Sequence, residues 1–456
     1  MRTVTRVAKG VVLAIIMAMT AAVVWLSLAP PELLRVGTGY AAKIVCSNVF
    51  LAGRDADEVL ASDVQAPGHP LLKLVHIDLD PDRRSVTARL LGAFAPGRAT
   101  YRKGLGCASV PAGDRAAAQA IAVAGEAAVS AASGASWPEG EAVSAGDPRL
   151  SDILADAALV GPGMRAVVVV KDGRLVAEAY GEGFNASTPL LGWSMTKTVN
   201  AAIIGRLMTE GRIGFDERNL LAEWKGDGRA QIRVRDLLAM ESGLDFNEEY
   251  GDVTDVTRML YLEPDMAGFA AAKPLAADPG TSFNYASGAS VLLAKIWMGK
   301  FADRAQALAY PRAALFQPLG MTSAVMEGDA TGTFVGSSYM YATARDWARF
   351  GLFLVQEGVW EGQRLLPEDF VGAMRRPTTA SRGLYTEAQA WGVGPGEESD
   401  EKFGIADDAF WLLGHDGQTI AVVPSENLVV VRLGLTPSKL GYRPQWLVKA
   451  VAGVLR

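Results

Sequence analysis

Two pairs of short apolar runs, one near the middle of the chain and one near its end, constrain the fold more than any other feature. Met164 to Val170 is β-branched and continuous, Lys171-Asp172-Gly173-Arg174 is a turn, and Leu175 to Tyr180 completes a hairpin. Ile420 to Val423 and Leu428 to Leu433 repeat the pattern around Pro424-Ser425-Glu426-Asn427. These runs barely alternate, so they read as strands buried on both faces. Between them the pattern is mostly helical. Met195, Val199, Ala202, Ile203 and Leu207 recur at helical spacing, and Gly211 ends that helix. A helix from Gln445 to Leu455 closes the chain. Strands at both ends of a mostly helical stretch predict one mixed α/β layer fold with an inserted, mainly helical lobe.

The 456-residue chain carries 44 Lys+Arg against 50 Asp+Glu, a net charge of −6, and half of it is hydrophobic. That composition excludes disorder as the main state. It also gives no basic footprint for nucleic acid. With three His and two Cys, a multi-His or Cys-rich metal site is not expected. The chemistry has to come from other residues.

Gly10 to Ala29 carries no charge, only Thr20 and Ser27 are polar, and Arg2, Arg6 and Lys9 precede it. Twenty helical residues span about 30 Å, the thickness of a bilayer core. The basic start predicts a signal anchor over residues 1–30, held in the cytoplasmic membrane with the rest of the chain outside. A cleaved signal ending at Ser27-Leu28-Ala29, leaving a periplasmic or secreted protein, is the competing reading; Pro30-Pro31 makes that cleavage awkward. In an oxidising compartment Cys46 and Cys107 can form a disulfide, or remain two buried thiols.

Residues 31–112 read as an N-terminal extension. Leu71 to Leu79 and Ser85 to Leu91 form a strand hairpin around Asp80-Pro81-Asp82. Residues 113–147 read as a linker: Ala116 to Ala135 is Ala/Gly/Ser-rich, a short helix running into Trp137-Pro138-Glu139-Gly140. The main domain, residues 148–456, begins near Asp147-Pro148.

Three short motifs carry the chemistry. Ser194-Met195-Thr196-Lys197 stands at the start of the long helix, where residues three apart share a face. A lysine desolvated there can take the serine proton, and the helix N-terminus favours developing oxyanion charge. A second match, Ser399-Asp400-Glu401-Lys402, lies in an acidic stretch without helical pattern and reads as a solvated loop. Tyr285-Ala286-Ser287 follows a Pro-Gly turn and precedes an apolar helix starting near Val291; a tyrosine beside a lysine can exchange protons. Gly414-His415-Asp416-Gly417 precedes the strand at Ile420, where glycine lets backbone N–H groups approach an oxyanion.

In this order, Ser194-x-x-Lys197, Tyr285-x-Ser287 and His415-Asp416-Gly417 resemble the three motifs of the serine β-lactamase and penicillin-recognising superfamily. Val234-Arg235-Asp236-Leu237-Leu238 leading to Ser242-Gly243-Leu244, and Tyr341 to Asp346, resemble it too. Within the superfamily the chain is most similar to the class C-like branch that includes 6-aminohexanoate-dimer hydrolases and related esterases. Tyr40-Ala41-Ala42-Lys43 to Cys46-Ser47, and Gly104-Leu105-Gly106-Cys107, resemble N-terminal segments of that branch. The resemblance implies a β-lactamase-like antiparallel sheet flanked by helices. It implies an acyl-enzyme on Ser194, Lys197 as general base, Tyr285 as proton shuttle, and backbone N–H groups of Ser194 and Gln418 as the oxyanion hole. The substrate would be a small amide or ester, and the reaction would use no metal or organic cofactor.

Two departures bear on the substrate. β-Lactamases and penicillin-binding proteins have Lys where His415 stands, and commonly Asn where Ser287 stands. Both changes favour an esterase or amidase over β-lactam hydrolysis. A D-alanyl carboxypeptidase or β-lactam-recognising cell-wall protein, or a non-catalytic binding protein, shares the fold. An α/β-hydrolase would need a glycine at Thr196. Glu248, Tyr250, Asp252 and Asp255 either line the pocket mouth, where they would suit a cationic amine, or form a solvated acidic loop. Oligomeric state is not legible.

Overall fold

The computed structural model describes residues 2–111, 113, 115–121, 123, 134–143, 147–396 and 398–456. Helix α1 (Arg2–Leu28) contains one stretch, Lys9–Leu28, long and apolar enough to cross a membrane, with none of it buried. Pro30 and Pro31 interrupt the helix, and α2 (Glu32–Phe50) begins directly after them with most of its second half buried.

The N-terminal hairpin is larger than its sequence pattern suggests. Strands β1 (Val75–Asp80) and β2 (Ser85–Leu90) pair in register, Val75 with Leu90 and Asp80 with Ser85. Two further strands, β3 (Phe94–Arg102) and β4 (Gly106–Ser109), extend them into a four-stranded antiparallel sheet. Pro96 and Gly97 break the apolar pattern that would have revealed β3. Gly97 is required, because a Cβ there would lie 2.3 Å from the Thr38 carbonyl carbon of α2. The run before β1 begins as a tight turn, Pro70–Leu74, rather than as strand.

Cys46 of α2 and Cys107 of β4 form a disulfide, with Cα atoms 6.1 Å apart. Closing the loop between them, a sequence separation of 61, stabilises by about 4 kcal/mol in the chain-entropy model. Cys46→Ser/Cys107→Ser is therefore expected to lose about that much in urea unfolding of the full chain. No change in the unfolding midpoint would contradict it.

Of the Ala116–Ala135 helix, Arg115–Gln119 is helical, and most of the remainder lies outside the described residues. Helix α3 (Pro148–Ala155) is capped by Asp147, whose carboxylate accepts from the Arg149 N–H.

The main sheet follows the sequence pattern closely. Its strands β5 (Met164–Lys171), β6 (Arg174–Tyr180), β7 (Phe410–Gly414), β8 (Gln418–Val423) and β9 (Leu428–Gly434) are antiparallel, in the order β7-β8-β9-β5-β6. Central β9 pairs with β5 through Val431↔Val168 and Val429↔Val170. Continuous apolar runs arise because both faces are covered. Val168, Val170, Ile420, Val422, Val429 and Val431 face the large core. Val167, Val169, Ala421, Val423 and Val430 face a smaller one. Helix α3 and the C-terminal helix Gln445–Leu455 cover that second face.

Between β6 and β7 runs the helical lobe. It includes α4 (Thr196–Thr209), α5 (Ser287–Met298) and α6 (Ala344–Val355). The large core runs without interruption from α2 through the lobe to the main sheet.

Candidate active site

The first motif is placed by a tight turn between a small sheet and α4. Leu190–Leu191 pairs with Met340–Ala342, and the Gly192 N–H donates to the Met340 carbonyl at 3.0 Å. A Cβ on Gly192 would lie 2.3 Å from the Trp347 ring, so only glycine fits. Trp193 has φ 48°, a left-handed conformation that costs a bulky residue about 1–2 kcal/mol. The strained turn presents Ser194 half-buried, while Trp193, Met195, Thr196 and Lys197 are buried around it.

Lys197 lies in the first turn of α4. Its Nζ is 3.1 Å from Ser194 Oγ, 3.1 Å from Ser287 Oγ and 3.1 Å from the Ser337 carbonyl. Three acceptors match the three protons of an ammonium. Burial nonetheless pulls the amine down to about 8, with the Glu248 charge opposing. A neutral fraction able to accept a proton is therefore present near neutral pH.

The second motif meets the first at Lys197. Nζ stands 4.8 Å from the centre of the Tyr285 ring, which is packed between Tyr385 and Trp391. Burial pushes the Tyr285 phenol well above the usual tyrosine range; Glu248 adds to the rise and the Ser194 hydroxyl opposes it. The helix predicted near Val291 begins at Ser287, so this serine occupies the N-terminus of α5.

Glu248 sits on that terminus. It accepts from the Ser287 N–H at 2.7 Å and from Ser287 Oγ at 2.5 Å. Ser287 thus bridges Lys197 and Glu248. Burial raises the Glu248 carboxyl, and the Lys197 charge and the Ser287 bonds resist the rise.

The third motif is the β7–β8 turn, with Gly414 opposite Gln418. A Cβ on Gly414 would lie 2.3 Å from the Gly192 carbonyl oxygen, so the third motif abuts the nucleophile turn directly. Asp416 and Gly417 are left-handed, with φ of 56° and 84°. The Gln418 side chain braces this turn. Its amide donates to the His415 and Asp416 carbonyls, and its Oε1 accepts from the Gly434 N–H at 2.9 Å. Buried Arg432 donates to the Gly417 carbonyl at 3.0 Å. His415 is 43% exposed, and its ring packs 5.6 Å from Trp193 and 5.2 Å from Tyr250.

The acidic segment divides. Glu248 is engaged by Ser287, while Asp255 pairs with Lys273 and accepts from the Asn247 N–H. Tyr250 and Asp252 line a cavity of about 350 Å³ beside the site. Ser399 and Lys402 lie apart, at the surface, on a short turn.

A chain with this arrangement can move a proton between Ser194, Lys197 and Tyr285 within a few ångströms. The beta-lactamase family model matches residues 157–444. The chain belongs to the beta-lactamase family. Its β-lactamase-like fold and its place among the hydrolases of that family follow. This beta-lactamase-family chain is 27% identical to the 6-aminohexanoate-dimer hydrolase of Paenarthrobacter ureafaciens over 306 residues, covering 60% of this chain and 72% of that protein. An uncharacterised protein of Alkalihalophilus pseudofirmus is 31% identical over 98 residues, and the match spans only 29% of that protein's length. The penicillin-binding protein of Bacillus halodurans superposes with a TM-score of 0.51 at 18% identity, covering 67% of this chain and 98% of that one.

Sequence reasoning missed three features of the site. The Ser337 carbonyl is a backbone group and leaves no side-chain signal. Glu248 stood among candidate mouth residues, with nothing to say that it faces Ser287. Trp193 gives no sign in sequence of its left-handed backbone.

Proposed function

We propose that the protein is a serine hydrolase that cleaves an amide or ester through an acyl-enzyme on Ser194. The observation that carries this reading is the 3.1 Å approach of a desolvated Lys197 amine to Ser194 Oγ. Neutral Lys197 takes the Ser194 proton as Oγ attacks the carbonyl. The oxyanion is received by the Ser194 and Gln418 N–H groups. The proton passes by way of Tyr285, a neutral phenol, to the leaving alkoxide or amine. Water then attacks the acyl carbonyl as its proton passes through Tyr285 to Lys197, and Lys197 returns a proton to Ser194 Oγ as the acid is released. Gly417 and His415 shape the strand edge where the substrate lies, and Ser287 holds Lys197 against Glu248.

Helix α1 serves as a membrane anchor in this reading, with the body outside the cytoplasm, where the Cys46–Cys107 disulfide is chemically at home. His415 and Ser287 argue against β-lactam turnover, since neither supplies the cationic and amide contacts that the resemblance associates with it.

The test exposes the detergent-solubilised full chain, and its Ser194→Ala variant, to a fluorophosphonate probe, p-nitrophenyl acetate and a chromogenic cephalosporin. Labelling and ester turnover are expected in the wild type alone, with little cephalosporin turnover. A folded wild type that is not labelled at Ser194 would refute catalysis. Long-lived acylation by the cephalosporin would instead assign a cell-wall role.

A further inference from the structure

The cavity beside the site has an unusual origin. At about 350 Å³ it is within the size range of small-molecule sites. Its lining includes Trp193, next to Ser194, with His415 of the third motif and Tyr250 packed on that histidine. The lining also takes in the first turns of α2, including Leu33 and Val36. Helix α1 ends at Leu28, so Leu33 lies at most roughly 18 Å along the chain from the end of the apolar span.

Asp252, Asp416 and Lys439 are among the lining residues, and exposed leucines lie next to the lining in sequence. Leu74, Leu91 and Leu440 are 42%, 54% and 54% exposed. Each is the chain neighbour of a residue that lines the cavity: Val75, Leu90 and Lys439. Exposed leucines beside the lining of a mostly apolar cavity suit a surface that meets another apolar phase. The twenty-residue span of α1 supplies one: a bilayer held within reach of the opening.

Resting on the hydrolase and anchor readings above, we infer that the cavity receives the acyl chain of a membrane amphiphile, so that the substrate is a long-chain acyl ester or amide drawn from the bilayer. Ser194 Oγ bonds to the acyl carbon, and the carbonyl carbon–heteroatom bond breaks. The headgroup alcohol or amine leaves with the proton, and water releases the fatty acid. The chain lies between Trp193 and α2, and the headgroup remains at the membrane surface.

Two measurements on the full chain in phosphatidylcholine vesicles test this. In the first, kcat/KM for p-nitrophenyl acetate, butyrate and octanoate is expected to rise about two- to fourfold per added methylene. Leu33→Asp and Leu33→Trp, which make the cavity polar or narrow, are expected to cut the octanoate-to-acetate ratio by roughly tenfold. The ratio cancels any loss of folded protein. In the second, vesicles containing phosphatidylcholine with a diazirine in its acyl chain are irradiated and the adducts mapped. Adducts on Leu33–Gly37 or Leu71–Val75 are expected, whether or not the protein is catalytically active. A flat chain-length profile with Ser194-dependent acetate turnover would overturn the inference and leave the hydrolase reading standing. Adducts confined to α1 would overturn it too. Acetate turnover undiminished in Ser194→Ala would instead refute the hydrolase reading.

Discussion

Lys197→Met is expected to reduce acylation of Ser194 by about 10²- to 10⁴-fold, the range for removing a positioned general base. The variant is expected to unfold no earlier than the wild type. In the wild type the Lys197 amine is pulled down to about 8 from an ordinary 10.5, so the folded state resists the charged form. The sign follows: a lysine depressed on folding costs stability below about pH 8, and that cost fades as pH rises towards the unfolded value. At pH 7 methionine removes the cost, and thermal unfolding measures it. The same titration predicts a pH–rate profile for the wild type. The logarithm of kcat/KM is expected to rise with unit slope below about pH 8 and then level. Glu248→Gln should move that limb to lower pH, because the carboxylate charge raises Lys197. A profile flat from pH 6 to 9 would exclude Lys197 as the base.

The second large effect lies away from the site. Lys43 Nζ and Glu327 Oε2 are 2.5 Å apart with both side chains buried. Glu327 also accepts from Ser47 Oγ at 2.9 Å and from the Cys107 N–H at 2.6 Å, and Nζ stands 3.9 Å from the centre of the Tyr339 ring. Glu327 thereby ties α2 and β4 to the helical lobe. Lys43→Met leaves a buried carboxylate without its cation and is expected to cost about 3–5 kcal/mol in denaturant unfolding. The double variant Lys43→Met/Glu327→Leu should recover most of that, because it removes both charges from the interior. A single variant that unfolds like the wild type would show that the pair carries no such weight.

This network separates what could be read early from what could not. Lys43, Ser47, Gly106 and Cys107 stood out in the sequence as segments resembling those of related hydrolases, but their common partner, Glu327, did not. A contact between residues so far apart leaves no periodic signal. Gly106 shows the same limit: it has φ 59°, and a Cβ on it would lie 2.4 Å from Glu327 Oε1. The strand β3 was invisible for a local reason, since Pro96 and Gly97 interrupt its pattern where it crosses α2.

The main sheet, by contrast, was legible, because β-branched runs bounded by turn residues encode strands buried on both faces through local chemistry alone. The order Ser194, Lys197, Tyr285, Ser287 and His415 was legible for a similar reason, each motif being a short spacing tied to an element end. Tertiary structure alone decided that Glu248 grips Ser287, that the Ser337 carbonyl caps Lys197, and that α2 and the aromatic side chains beside Ser194 line one mostly apolar cavity. Those are relations among side chains distant in sequence, fixed by packing and desolvation rather than by periodicity.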